Sequence, residues 1–370
     1  MRYLLTSTFI ISLAMGMVGL SLVLYANDLG ASYTEIGLLG AAYVVFNFLF
    51  SPLSGRIADR QGRKPFLVLG FFLVTCSFAL YLLIKAVWWL LLIRLIQGAA
   101  EAPVWVNAQA AVADLSRKEK MGRAMGAYGT SWGLGLAIGP LLGGSLYYAF
   151  GAVPPFALGA ILSLAASFIM LATSLPKPHI VPRRVRVKFS ELGPACFIGF
   201  VYVGVVSVIL LIFPAYLSKL NMSALQIGSL AALFGIARGL LFISLGNLSD
   251  KYGPGRVIKL GLFGLVVGSA CLIFTTEYFL LIPIIIILAI SEGSIYPAVM
   301  SIVSKIGRQT SAYLLGIFNG VSMLGWGILP PIGGFLADAI EPTLPFFMCT
   351  LISFFTLIVA QRIFATNRSS

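Results

Sequence analysis

Charge is what this chain lacks. Charged residues make up 10% of its 370 residues, and only 12 are acidic. A soluble domain carries about 25% charged residues. With 59% hydrophobic residues and a mean hydropathy of +1.00, the chain cannot cover an outer surface suited to water. Histidine is nearly absent: His179 is the only one, and it falls in a polar stretch. Cysteine is scarce as well. Cys76, Cys196, Cys271 and Cys349 all lie in apolar segments, and no pair has the spacing of a metal-ligand set. They read as small buried hydrophobes. No phosphate-binding loop and no nucleophile–histidine pairing is visible. The sequence therefore points to no enzyme chemistry, no metal and no cofactor.

What it has instead is long apolar runs. A helical span needs about 20 such residues. Candidate spans are 3–26, 34–57, 65–84, 87–113, 124–149 and 154–175, then 191–217, 224–246, 257–276, 278–303, 311–337 and 344–364. The first run exceeds the roughly 7–15 residues of a signal-peptide core, so it reads as a span. The polar residues 176–190 form a linker. The remaining connections are too short for a soluble domain. The fold class expected is an all-α polytopic membrane protein with twelve transmembrane helices.

The net charge of +13 does not indicate nucleic acid, because the basic residues sit in short loops between apolar runs. With the N-terminus inside, 21 of the 25 Lys and Arg fall on the inner side. Only Lys85 and Lys219 fall outside, and Arg94 and Arg238 lie within spans. Both termini and the linker are expected in the cytoplasm by the positive-inside rule.

The chain repeats itself. Gly55, Asp59 and Gly62 recur 191 residues on as Gly246, Asp250 and Gly253. At the same shift Glu101 falls on Glu292, Trp105 on Tyr296 and Arg117 on Arg308. At a shift of 190, Gly126, Gly135, Pro140, Gly143 and Gly144 fall on Gly316, Gly325, Pro330, Gly333 and Gly334. Two six-span halves follow, 1–175 and 191–370, in the same orientation. Parallel halves are a transporter architecture, with the substrate site near the bilayer midplane.

The stretch Gly55-Arg56-Ile57-Ala58-Asp59-Arg60-Gln61-Gly62-Arg63-Lys64 closely resembles the signature between spans 2 and 3 of the major facilitator superfamily. Ile57 stands where leucine is usual. The second copy diverges after Gly253, where Pro254 and Gly255 replace the basic pair. The resemblance covers the whole chain and implies the major facilitator fold, two six-helix bundles working by alternating access. It also implies a latch. Asp59 faces the N-terminal end of a neighbouring helix, for which the family suggests span 11, where the dipole favours an anion. Arg63 is placed to pair with Asp114, and breaking the latch lets the cytoplasmic side open. The other reading is a stabilising charged turn.

Span 5 carries Gly126, Gly135, Gly139, Pro140, Gly143 and Gly144. This pattern resembles the signature of the antiporter branches of the superfamily, among them twelve-span drug–proton exchangers. Gly135, Gly139 and Gly143 are four apart and allow close helix approach. Pro140 removes a backbone hydrogen bond and favours a kink. Simple close packing is the plainer reading. The Arg94–Gly98 stretch is similar to the family's arginine-bearing span 4 motif, in which the arginine is implicated in proton coupling.

Four ionisable residues lie deep in spans: Arg94, Glu101, Arg238 and Glu292. Each costs about 2.5–3.5 kcal/mol at a helix centre, so function is the default reading. Glu101, Glu292 and Arg238 are each 14 positions past the start of their spans, near mid-depth. Glu292 and Arg238 are therefore placed to pair. A carboxyl taken out of water holds its proton more readily, and a nearby Arg reverses that. Proton coupling is the functional reading, and permanent helix-aligning pairs are the structural one. Trp105 and Tyr296 follow the two acids by one turn, so either acid could receive an amphipathic cation beside a ring. Asn47, Asn107 and Asn319 are further cavity candidates.

Three functions compete. Proton-coupled export of small amphipathic compounds is preferred. The runner-up is an uptake carrier for a small organic anion, with Arg94 or Arg238 as counter-charge. A receptor or scaffold has no use for charged midplane sites. Span 1 carries no acid, unlike some drug exchangers. The expected partners are a small-molecule substrate, protons and the lipid bilayer, with a monomer in the cell membrane.

Overall fold

The computed structural model describes residues 1–116, 121–175, 189–306 and 311–366. His179, Arg117, Arg308 and residues 176–188 of the expected linker lie outside the described residues. Among the described residues the chain forms twelve helices and no strand: α1 (Arg2–Asp28), α2 (Tyr33–Gln61), α3 (Arg63–Tyr81), α4 (Val87–Asp114), α5 (Met121–Phe150), α6 (Val153–Leu171), α7 (Phe189–Lys219), α8 (Ala224–Tyr252), α9 (Pro254–Phe274), α10 (Tyr278–Ile306), α11 (Ser311–Ala339) and α12 (Leu344–Thr366). All twelve are long and apolar enough to cross a bilayer. In lipid a helix must satisfy its own backbone. Hydroxyl side chains do the same locally: Thr8 donates to the Leu4 carbonyl and Ser163 to the Gly159 carbonyl. That is how these apolar helices satisfy many of their Ser and Thr hydroxyls.

Several helices outrun their apolar stretches. The stretch read as a loop from Gly55 is helical through Gln61, and the break falls at Gly62. Gly62 has φ +99°, and Gly253 has φ +87° at the equivalent break between α8 and α9. These are left-handed conformations that favour glycine.

The chain divides into two compact units. The first holds Met1–Ala31, Ala42–Pro182 and Ser218–Gly235; the second holds Ser32–Ala41, Arg183–Leu217 and Ile236–Ser370. Each unit thus takes in the first part of the other half's second helix, a division the sequence boundary at 176–190 does not anticipate. Glycine explains it. In the first unit α8 lies on α5: a Cβ at Gly228 would sit 2.6 Å from the Pro140 carbonyl oxygen. In the second, α2 lies on α11, and a Cβ at Gly37 would collide with the Pro330 carbonyl. Gly37 and Gly228 are repeat equivalents, as are Pro140 and Pro330. α1 and α7, also equivalents, are the most enclosed spans.

Candidate functional site

α4 presents Arg94, Gln97, Glu101 and Trp105 as one stripe, three or four residues apart. Arg94 is 9% exposed, Gln97 2% and Glu101 5%. Tyr81 Oη and Arg94 Nη1 both donate to Gln97 Oε1, at 2.7 and 3.0 Å. With its oxygen committed, Gln97 turns Nε2 toward Glu101 Oε1 and donates at 2.7 Å. Glu101 Oε2 accepts from Tyr43 Oη at 2.8 Å and from Trp105 Nε1 at 3.1 Å. The Arg94 guanidinium lies 4.8 Å from the centre of the Tyr43 ring. Asn47 donates to Tyr43 Oη at 3.4 Å and to the Gly98 carbonyl at 3.3 Å.

Gly98 makes this cluster possible. A Cβ there would collide with the Tyr43 carbonyl, so α2 reaches α4 closely enough to deliver Tyr43 only because the position is bare. The resulting carboxylate is held by three neutral donors, and the hydrogen bonds link Arg94 to it through Gln97. Those donors remain beside the group when it takes up a proton. A protonated carboxyl gains a donor, and the Tyr43 hydroxyl can turn to accept it.

Glu292, on α10, is balanced differently. Arg238 of α8 faces it with Nε 3.5 Å from Oε2 and Nη1 3.5 Å from Oε1. Glu292 is 7% exposed, and its Oε2 accepts no hydrogen bond. Tyr296, one turn on, meets Tyr202 of α7 edge to face, with ring centres 6.5 Å apart. α10 is fixed by α9, where Cβ atoms at Gly261 and Gly264 would strike the hydroxyls of Ser294 and Ser291.

At the α2–α3 break, Arg63 Nη1 is 3.0 Å from Asp59 Oδ1, and Arg63 Nε donates to Asp114 Oδ2. The Asp59 side chain is half exposed. Arg60 is exposed and Lys64 half-buried. A Cβ at Gly55 would press on Val106 of α4 at 3.1 Å. On α5, Cβ atoms at Gly135 and Gly139 would stand 2.6 Å from Ser12 Cβ and the Leu13 carbonyl oxygen, and one at Gly143 2.5 Å from the Met17 carbonyl oxygen. Those three glycines therefore seat α1. Gly144 faces α8 at Ala224 and Gly228, while a Cβ at Gly126 meets open space.

The asparagines divide. Asn47 joins the Glu101 cluster. Asn107 is buried, and its Nδ2 donates back to Pro103 of its own helix at 2.9 Å. Asn319 is exposed. Tyr43, Tyr81 and Tyr202 escape sequence reasoning, as does the role of Gln97. Tyr43 could have been found from its place one turn before Asn47.

The chain matches the Major Facilitator Superfamily over residues 4–193 and 195–370 and belongs to it. It is a transporter of that superfamily and an integral multi-pass membrane protein. It is 26% identical over 366 residues to multidrug resistance protein 1 of Bacillus subtilis, covering 94% of this chain and 92% of that protein. Over 326 residues it is 26% identical to the class E tetracycline resistance protein of Escherichia coli, covering 83% and 79%. Among solved structures, the nucleoside transporter NupG superposes with a TM-score of 0.85 at 11% identity, covering 98% of this chain and 99% of that one. That likeness concerns the fold.

Proposed function

We propose that the protein exports small amphipathic compounds in exchange for protons, by alternating access. The observation that carries this reading is the Glu101 carboxylate, buried mid-helix on Tyr43, Gln97 and Trp105. Intramembrane acids mark proton relays. The relatives named for multidrug and tetracycline resistance support the direction of transport. In proteoliposomes under an imposed pH gradient, Glu101→Gln abolishes uphill transport. Exchange between equal substrate pools survives, because Gln resembles a protonated Glu and releases no proton. Full pH-driven transport by the variant excludes Glu101 as the carrier.

Both termini and residues 176–190 face the cytoplasm, between six-helix halves 1–175 and 191–370, in the cell membrane. Labelling of a cysteine introduced at the linker by an impermeant reagent from outside would contradict that orientation. Asp59, Arg63 and Asp114 act as an inner latch. Asp59→Asn cuts transport several-fold while stability changes by less than about 0.5 kcal/mol, because Asp59 is half exposed and Asp114 still pairs with Arg63. Normal transport by this variant reduces the turn to a structural element.

A further inference from the structure

We propose that Asp338 is an outer latch: its contact with the first turn of α2 holds α2 shut against α11, and it breaks when the pathway opens at that face. This rests on the alternating-access reading above and names a device for the end of α2 opposite Asp59. Asp338, in the last turn of α11, accepts from the Tyr33 amide at 2.9 Å, the Thr34 amide at 2.7 Å and the Thr34 hydroxyl at 2.6 Å. An anion there opposes the dipole of its own helix, so its place is explained by the neighbouring N-terminus. Its bonds are additional to the cap that α2 makes for itself from Ser32 and Glu35. In the repeat, the residue equivalent to Asp338 is Tyr148, which is 64% exposed.

Below the latch the two helices meet on bare backbone. Cβ atoms at Gly334 and Gly37 would strike the Tyr33 and Pro330 carbonyl oxygens. Further along, a Cβ at Gly40 would stand 3.7 Å from Trp326 Nε1, a buried nitrogen with no hydrogen-bond partner. A buried donor left unpaired costs free energy that water would relieve. The crossing therefore holds opposed features. Close packing and three hydrogen bonds at the rim shut it, and the indole favours opening. Asp338 is exposed, so water can replace its bonds when the helices part. A contact balanced in this way has two accessible states, and a small change at the rim shifts their populations.

The test is thiol accessibility in the purified full chain in detergent, where reagent reaches both faces and no topology is assumed. Leu211 of α7 is buried against Gly40, and Leu211→Cys is the reporter. The reagent is 2-(trimethylammonium)ethyl methanethiosulfonate, a permanent cation that needs water to reach a thiol. Mass spectrometry reads each site separately, so native cysteines do not interfere. Asp338→Ala speeds labelling at position 211 at least about threefold, because a closed site labels in proportion to its open population. Asp338→Asn, which keeps one acceptor oxygen, gives a smaller rise and decides the matter if the alanine variant does not fold. Glu35→Ala removes the cap within α2, leaves Asp338 in place and changes the rate by less than about 1.5-fold. An unchanged rate in the Asp338 variants overturns the proposal. Equal acceleration by Glu35→Ala overturns it too, because fraying of the first turn of α2 then explains both. So does a matching rise at Cys349, a buried native thiol on α12, since the packing as a whole has then loosened. No substrate and no gradient are used, so a failure of export or of proton coupling at Glu101 leaves the result readable.

Discussion

Glu101 and Glu292 occupy the same position in the two halves, each followed one turn on by an aromatic residue, yet they are held in opposite ways. The first carboxylate accepts from Tyr43, Gln97 and Trp105. The second faces a guanidinium at 3.5 Å with one oxygen unsatisfied. The repeat thus copies the backbone frame and leaves the electrostatics free to diverge. The same lesson holds in apolar packing. Where α1 crosses α5, Gly139 lies bare against the Leu13 backbone. At the equivalent crossing of α7 and α11, the bare residue is Gly204 and it receives Leu329. Leu13 corresponds to Gly204 and Gly139 to Leu329, so the small and large partners have changed sides while the crossing is kept.

The largest expected difference between the two acids is in stability. Glu292→Gln leaves Arg238 with an uncompensated charge. We expect a loss of about 3 kcal/mol, the low end for breaking a buried pair, since Arg238 is partly exposed. Adding Arg238→Gln restores most of it. Glu101→Gln keeps a neutral side chain among Tyr43, Gln97 and Trp105 but sets its NH2 against one of their donors, and we expect a smaller loss of about 1–2 kcal/mol. Denaturation of the four proteins in one detergent decides this. Equal losses for the two single variants would erase the distinction between the sites.

Much of this comparison was legible in the sequence. Span count came from apolar run length, and the repeat from Gly, Pro and Glu at one shift. Depth arithmetic placed Glu292 with Arg238. Trp105 was legible one turn from Glu101, whereas Tyr43 and Tyr81 were not, because they sit in apolar runs where any aromatic suits lipid. Periodicity is silent there: lipid and core are both apolar, so no polar stripe marks which face turns inward. Chain position is equally silent on the close approaches of Gly37 to Pro330 and of Gly228 to Pro140, which are long-range. Gly126 shows a limit of motif reading. It precedes Gly135 by nine residues, about 180° around the helix, and so cannot share its face.

That limit gives a second test. A methyl at Gly139 would stand 2.6 Å from the Leu13 carbonyl oxygen, a backbone atom that cannot turn away. Gly139→Ala is expected to lose about 2 kcal/mol, within the usual penalty for overpacking. Gly126→Ala meets open space and should change stability by less than about 0.5 kcal/mol. Adding Leu13→Gly cannot rescue Gly139→Ala, because the obstruction is main chain. Rescue by that second change would mean that the helices part easily and that the glycine face is not what fixes them.

The smallest effect concerns the first turns of α2 and α8. Both helices open with a reciprocal box at equivalent positions. In α2, Glu35 Oε2 accepts from the Ser32 amide at 2.8 Å and Ser32 Oγ from the Glu35 amide at 3.1 Å. In α8, Gln226 and Ser223 do the same at 3.2 and 3.3 Å. α2 has an addition. Asp338, in the last turn of α11, accepts from the Tyr33 amide at 2.9 Å, the Thr34 amide at 2.7 Å and the Thr34 hydroxyl at 2.6 Å. An anion in the last turn of its own helix is disfavoured by that helix's dipole, and one at the start of another is favoured. Asp338→Asn therefore relieves α11 while weakening α2, and keeps one acceptor oxygen. The net loss is expected at about 0.5–1 kcal/mol, below that of a cap removed outright. Denaturation in the same detergent reads it. A variant as stable as the parent would mean that the Ser32–Glu35 box satisfies α2 unaided, as Ser223–Gln226 does for α8, and that the carboxylate adds nothing to the repeat's common design.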